Sequence, residues 1–375
     1  MGSDSVVVCA VGDVMVDRPE PVTAFALSRD ALRAADITFG NCESTYSTRG
    51  TRHPMTRGEV RADPRNVDAL DDAGFDVMSF ANNHHMDSGD DAFFDTLAEL
   101  HGRGIVTCGA GANLAEARLP AVVERNGTKV AFLGYSSILF PGYEADADRP
   151  GCAPLRVTTT YEQVEMEQPG SPPAIHTVPD ADDLANLLDD VTAATRIADV
   201  VIVTPHWGLH FTPVVVADYE LVVARAAIDA GADLVLGHHQ HILKPVEVYD
   251  GKVIFHGLGN FAMDVNMGKH SASPHIREMV DQYPGYAVAH RPDYPTYPFH
   301  PLARQTMIAR CRIRDGRIDE VSFVPCYINP FGQPEALTAT NPRFAEVASY
   351  VQSITSEAGF DVGFKADEHE VRVLI

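Results

Sequence analysis

What most constrains this chain is where its apolar runs stop. The run at 6–11 stops at Gly12-Asp13, the run at 37–39 stops near Asn41, and the run at 77–80 stops at Ala81-Asn82-Asn83-His84. Further on, 200–203 stops at Pro205-His206-Trp207-Gly208, and 234–236 at Gly237-His238-His239-Gln240-His241. Short apolar runs closed by polar clusters read as buried strands. Helical patterns fill the intervals, at 24–35, 65–73, 91–103, 182–196, 219–230 and 344–357. Strand, polar tip, helix and strand again is the rhythm of a layered α/β fold. In such folds, residues far apart in sequence can meet at the carboxyl ends of the strands.

Two stretches break the rhythm. Residues 141–180 carry Pro141, Pro150, Pro154, Pro169, Pro172, Pro173 and Pro179 among many acids, and 262–303 is rich in His, Tyr and Pro. Both read as insertions that shape a pocket, so 1–375 is expected to form one domain. Asp250-Gly251 and Asp315-Gly316 predict hairpins. No apolar run approaches the roughly 18 residues of a membrane-spanning helix. The first residues lack the positive region of a secretory signal. The cysteines at 9, 42, 108, 152, 311 and 326 form no Cys-x-x-Cys pair. They read as buried thiols in a reducing cytoplasm, not as zinc ligands. The formal net charge of −23 argues against a nucleic-acid partner, because such a surface repels phosphate backbones.

The strand tips carry one kind of chemistry. Asp13, Glu43, Asn82-Asn83-His84, His206 and His238-His239-Gln240-His241 supply carboxylate, amide oxygen and imidazole. That donor set suits Mn, Fe, Zn or Co. Each element alone has a bland reading, as a turn residue, a cap or a core histidine. Three histidines in four residues, together with acids at several other tips, are harder to dismiss. There is no GxxxxGK[ST] phosphate loop and no GxSxG nucleophile elbow.

With these residues in hand, the chain resembles the capsule-synthesis CapA family, also called the poly-γ-glutamate biosynthesis family, within the wider metallophosphoesterase fold. The matching segments are Gly12-Asp13-Val14-Met15, Asn41-Cys42-Glu43, the Ala81-Asn82-Asn83-His84-His85-Met86-Asp87-Ser88-Gly89 stretch, Pro205-His206-Trp207-Gly208, Gly237-His238-His239-Gln240-His241 and Gly257-Leu258-Gly259-Asn260-Phe261. The resemblance implies a four-layer αββα sandwich with the two irregular insertions and a metal site at one edge. Carried over residue by residue, Asp13 matches the opening acid and Glu43 the bridging one. Asn83 matches the ligating amide, with His84 the acid beside it. His206 matches the distant histidine, and His238 and His241 the closing pair. One extra residue in that pair leaves His239 and His241 both as candidates to reach the metal. Met15 stands where the wider fold has its first histidine, and a thioether is a poor ligand for hard ions. Gln240 stands where members often carry Pro. Capsule-associated members generally carry an N-terminal membrane anchor. This chain begins almost at its first strand, so a soluble, stand-alone member is expected.

The implied activity is hydrolysis with one or two divalent ions of Mn, Zn, Fe or Co. Asp13, Glu43, Asn83, His206, His238 and His241 would hold the metal. His84, oriented by Asp87, would protonate the leaving group or stabilise an oxyanion, with His239 as a further catalytic imidazole and His85 as a spare one. Arg52, His53, Arg57, Trp207 and Asn260 are the expected substrate contacts, with Arg61 nearby. The expected substrate is a small or γ-glutamyl-type molecule with an amide, lactone or ester bond. The alternatives are a phosphoesterase and a non-catalytic polymer-binding module. Tyr283, Tyr286, Tyr294, Tyr297 and Phe299 could wall the pocket or form a homodimer interface.

Overall fold

The computed structural model describes residues 5–265 and 291–375. Two sheets carry the fold. The larger runs in the order Gly363–Ala366, Val371–Leu374, Arg317–Ile328, Gln305–Arg314, Val6–Met15, Ile37–Cys42, Val77–Ser79 and Val106–Cys108, with Asn260–Met263 pairing alongside Val6–Met15. Its last four strands and Asn260–Met263 are parallel, and the rest are antiparallel. The smaller runs Val246–Tyr249, Lys252–Phe255, Leu234–Leu236, Val200–His206, Thr128–Ser136 and Ala121–Arg125, with a parallel centre and a hairpin at each edge.

Strand alternation builds the layers. Val6, Val8 and Ala10 face inward, against Val130, Phe132, Val200 and Ile202 of the other sheet. Phe39 and Phe132 stack across this middle layer at 5.3 Å. The intervening Cys9 and Val11 face outward, onto Leu70 of the Asp68–Ala73 helix and Phe93 and Leu100 of the Gly89–Gly102 helix. On the other side, Ala131, Leu133, Val201 and Val203 face Leu187 and Val191 of the Ala181–Ala194 helix and Val223 and Ala227 of the Asp218–Asp229 helix. Helix, sheet, sheet, helix is the expected four-layer αββα sandwich. Each large aliphatic or aromatic side chain buried in these layers contributes about 1.5–3 kcal/mol relative to exposure.

Local chemistry fixes the element ends. The Asp180 carboxylate accepts from the Asp182 and Asp183 N–H groups and starts the Ala181–Ala194 helix, a cap worth about 1 kcal/mol. The last helix, Pro342–Glu357, is capped by Asn341. It buries Phe344, Val347, Val351 and Ile354, spaced three and four apart, in the middle layer.

Some expectations need correction. The helix expected at 24–35 is two short pieces, a 3-10 turn at Pro21–Phe25 and an α-helix at Arg29–Arg33. Ser28 leaves helical geometry between them, at φ −131°, and holds the N-cap position of the second piece without a side-chain capping bond. The 141–180 excursion is not irregular throughout. Its β-branched run makes a hairpin of Val157–Glu162 with Ala174–Pro179, mostly exposed. A hairpin at Asn126-Gly127 went unread, although Asn-Gly is a strong turn signal. Tyr294, Tyr297 and Phe299 of the second insertion are buried; Tyr283 and Tyr286 lie outside the described residues. All six cysteines are free and buried, as expected. Among the described residues, no helix is long and apolar enough to cross a membrane.

Candidate metal centre

Parallel register brings the polar tips to one edge. Asp13 lies level with Asn41 on one side and Asn260 on the other, and Asn41 lies level with Ser79. The register shifts at Asp13 in both pairings. Gly12 makes this possible, since a Cβ there would stand 1.9 Å from the Gly259 carbonyl oxygen. The Asp13 N–H donates to that same oxygen at 3.0 Å. In the other sheet, His206 and His238 form a parallel bridge.

The side chains then converge. The Asn41 amide donates to Asp13 Oδ1 at 2.8 Å, and the His239 N–H reaches Asp13 Oδ2 at 3.2 Å. His241 Nδ1 is 3.2 Å from Asp13 Oδ2 and 2.8 Å from Asn260 Oδ1. His206 is the hub of the cluster. Its Nδ1 faces His238 Nδ1 at 2.8 Å, and its Nε2 faces Asn83 Oδ1 at 2.6 Å, His239 Nδ1 at 3.1 Å and Glu43 Oε1 at 3.7 Å. Three overlapping groups, Asp13–His206–His238, Glu43–His206–His239 and Asp13–Glu43–His241, each bring one ligand atom per residue within 4.8 Å. The open choice between His239 and His241 thus becomes a cluster containing both.

This arrangement is electrostatically incomplete. Glu43 is fully buried, and neither of its oxygens has a hydrogen-bond partner among the described residues. His238 Nε2 is likewise unpartnered among them. Burial, followed by the charge of Asp13, pushes the Glu43 carboxyl well above the usual range. Burial also raises Asp13, but His241, His238 and the Asn41 amide together outweigh it and hold Asp13 below its ordinary value. Burial depresses His238 to about 4. His206 and His239 lie well below an ordinary imidazole, through burial first and neighbouring histidines second. Neutral imidazoles beside carboxylates are the protonation states in which such groups ligate cations.

Beside the cluster stands a His–Asp pair. His84 Nδ1 is 2.7 Å from Asp87 Oδ2. Asp87 is fully buried and also accepts from Thr56 Oγ1, the Val60 N–H and the Tyr143 hydroxyl. Its partner His84 keeps 21% of its side-chain surface exposed. His85 is buried, with its two ring nitrogens against the carbonyls of Asn82 and Tyr143.

The expected substrate contacts separate. Arg52 and Arg57 rim a cleft of about 390 Å³ that also includes Met15, Ser44, Arg61 and Asp264. Neither of these two arginines pairs with a carboxylate among the described residues. His53 is half-buried, edge-on to Tyr143 at 5.0 Å. Trp207 does not face the cleft. It is fully buried behind His206, with its indole N–H donating to the His256 carbonyl at 2.9 Å. Asn260 is buried too and spends its polar groups on His241 and the Tyr297 hydroxyl. Met15 packs with Phe211, Met263, Tyr297 and Phe299 in an apolar cluster at the margin of the centre.

Two contributors went unread in the sequence. Asn41 was read as a strand end and as part of the matching Asn41-Cys42-Glu43 segment, but given no role in the site, yet it braces Asp13. His210 follows His206 by four residues, and its ring centroid lies 4.0 Å from that of His239. The His-x-x-x-His spacing was its only signal.

Comparison with known proteins identifies the family. The family model described as bacterial capsule synthesis protein PGA_cap matches residues 7–265. The PGA biosynthesis protein CapA of Bacillus subtilis is 32% identical over 267 residues, covering 68% of this chain and 62% of that protein. A probable polyglutamine synthesis accessory protein of Mycobacterium tuberculosis is 35% identical over 238 residues, covering 62% of this chain and 56% of that one. The matches thus span less than two thirds of these relatives' lengths. Among solved structures, a hypothetical protein from Thermus thermophilus aligns over 85% of this chain and 98% of its own, at 17% identity and a TM-score of 0.45. On the family match over most of its length, and the motifs that converge in the centre, this chain belongs to the bacterial capsule synthesis PGA_cap family.

Proposed function

We propose that this protein is a metal-dependent hydrolase whose centre is built from Asp13, Glu43, Asn83, His206, His238, His239 and His241. The observation that carries this reading is the buried Glu43 carboxylate beside Asp13, which has no hydrogen-bond partner among the described residues. Two carboxylates at this depth need positive charge among them. The nearby donors are imidazole nitrogens and an amide oxygen, which fit Mn, Fe, Co or Zn. One or two such ions, when bound, would supply Lewis acidity and a water acidified toward neutrality.

The chain's own groups do the rest. Asp87 fixes the His84 ring through Nδ1, which leaves Nε2 to hand a proton to the leaving group. Arg52 and Arg57 receive an anionic group of the substrate from the cleft. Met15, at the wall of that cleft, and Phe211 and Phe299 packed behind it keep water from this side of the centre. Asn41 and Asn260 hold Asp13 and His241 in place. The substrate is a small or γ-glutamyl-type molecule with an amide, lactone or ester bond. The naming of the Bacillus subtilis relative as a PGA biosynthesis protein supports an acyl bond.

Elemental analysis of protein purified without chelator tests the centre. Wild type should carry about one or two equivalents of metal, and Asp13→Ala should carry little. A folded wild type that stays empty after reconstitution with each of the four metals sinks the reading. Faster turnover of phosphoesters than of γ-glutamyl amides, esters or lactones would overturn the bond assignment alone.

A further inference from the structure

Residues 52–60 form no helix or strand, and one buried acid fixes their course. Asp87 accepts from the Thr56 hydroxyl at 2.9 Å through Oδ1 and from the Val60 N–H at 2.8 Å through Oδ2. Its backbone carbonyl accepts from the His53 N–H at 2.8 Å. Arg57, Gly58 and Glu59 are therefore a short span held at both ends. Arg52 Nη2 donates to the Thr56 carbonyl at 3.0 Å and braces the first of them. All three residues of the span line the cleft of about 390 Å³, together with Met15 and with Ser44, which directly follows Glu43.

The two charged side chains of the span are complementary. Arg57 is exposed, and its guanidinium makes no hydrogen bond or ion pair among the described residues. Glu59 is held in place. The Ser88 hydroxyl donates to Glu59 Oε1 at 2.7 Å, and Arg61 Nε lies 3.4 Å from the same oxygen. Ser88 occupies the N-cap position of the Gly89–Gly102 helix but makes no side-chain capping bond there. Such a bond stabilises a helix by about 1 kcal/mol, so the hydroxyl serves Glu59 against the helix's own preference. Glu59 Oε2 accepts from no described residue, and 26% of the side chain is exposed. The cleft as a whole sets Arg52, Arg57 and Arg61 against Asp17, Glu59 and Asp264, in a chain whose net charge is −23. A receptor for an anion alone is weakened by a carboxylate fixed beside its unpaired arginine, since like charges repel. A cation and a carboxylate on one tethered span instead match a group that carries both charges.

We propose that Arg57 and Glu59 are specificity residues for a substrate with a free α-amino acid end, Arg57 pairing with its carboxylate and Glu59 Oε2 with its ammonium. The proposal rests on the reading of this cleft as the substrate site of a hydrolase, and it narrows the substrate class. In a γ-glutamyl chain only the amino-terminal residue has both charges free, because every later α-amino group is acylated. The protein would then act from that end.

Three probes of similar shape separate the charges. L-Glutamine carries both, glutaramate lacks the ammonium, and 4-aminobutanamide lacks the carboxylate. Wild type purified without chelator, Arg57→Ala and Glu59→Gln are each titrated with all three by calorimetry. Wild type should bind glutamine about tenfold or more tighter than either other probe, the size expected for one hydrogen bond between charged groups. Glu59→Gln should bind glutamine no tighter than glutaramate, and glutaramate no more weakly than wild type does. Arg57→Ala should lose about tenfold or more in affinity for glutamine and keep its affinity for 4-aminobutanamide. Equal affinity of wild type for glutamine and glutaramate overturns the assignment. So does a preference for glutamine that survives in Glu59→Gln, or a wild type that binds no glutamine. Metal content of the same samples reports separately on the hydrolase reading. Wild type that stays metal-free after reconstitution yet prefers glutamine defeats the hydrolase and keeps the cleft as an amino-acid site. Metal-loaded wild type without that preference keeps the hydrolase and defeats the proposal.

Discussion

Two groups of non-glycine residues hold left-handed backbone in the described structure, and they arise differently. Asn126, Asp250 and Asp315 sit at φ 51°, 47° and 52°, each followed by a glycine that is also left-handed, each at the tip of a hairpin. Asn and Asp tolerate this region, and the two-residue turn requires it, so the conformation is a local matter. Phe211, His239 and His241 sit at φ 53°, 101° and 59° within one cluster beside the buried acids. No glycine follows any of the three to close a two-residue turn. The cluster is held by Asp13, Asn260, the Gln240 backbone and the clamp that the Lys244 ammonium makes on the Thr212 and Val215 carbonyls. Strain that a turn motif supplies is structural, whereas strain that packing must impose gathers where function needs a fixed geometry.

The comparison can be broken most strongly at Glu43. Glu43→Gln should lower metal affinity by about a hundredfold or more, since removing even an outer partner of a ligand costs about 10–100-fold. Denaturation of the metal-free proteins should show the opposite sign, with the variant more stable by about 1–3 kcal/mol because a lone buried carboxylate is gone. Equal stability of the two metal-free proteins would mean the carboxylate already has a partner without the ion. No substitution in the three hairpin tips should move metal affinity at all.

A paired exchange of backbone strain is the intermediate case. His239→Gly relieves the left-handed strain, for a gain of about 1 kcal/mol in the metal-free protein, yet should weaken metal binding about tenfold or more. Asp315→Ala should lose about 1 kcal/mol of stability and leave metal binding untouched, because alanine resists the left-handed region. Loss of metal affinity in Asp315→Ala would erase the distinction between the two groups.

The smallest effect concerns the clamp. Burial lowers Lys244 from 10.5 to about 8. Between those values the unfolded chain binds more protons than the folded one at this site, so its contribution to stability rises with pH across that window. Stability profiles of wild type and Lys244→Met should therefore diverge upward for wild type from about pH 8. Parallel profiles would show that the amine is not desolvated as the structure places it.

How much of this was legible in the chain follows from what each feature depends on. Strand tips were legible because an apolar run and its polar stop are adjacent in sequence. The Asp250-Gly251 and Asp315-Gly316 turns were legible for the same reason, and Asn126-Gly127 carried the same unread signal. The 157–179 hairpin was hidden by the prolines and acids around it. Trp207 and Asn260 lie within motif segments, but their burial turns them into supports for His206 and His241. A motif marks the neighbourhood of a site, whereas side-chain direction is set by packing.

By itself, the sequence determined the layered α/β rhythm, the donor types and their family. Periodicity and composition act over a few residues and survive without knowledge of the partners. Only the tertiary structure decided that Glu43 has no hydrogen-bond partner among the described residues, that His206 is the hub, that His239 and His241 both reach the cluster, and that His210 joins them. Those facts depend on register between strands more than a hundred residues apart, and on a loop held back by a buried lysine. Distances of a few ångström across such separations are fixed by packing the whole core, not by any local run of residues.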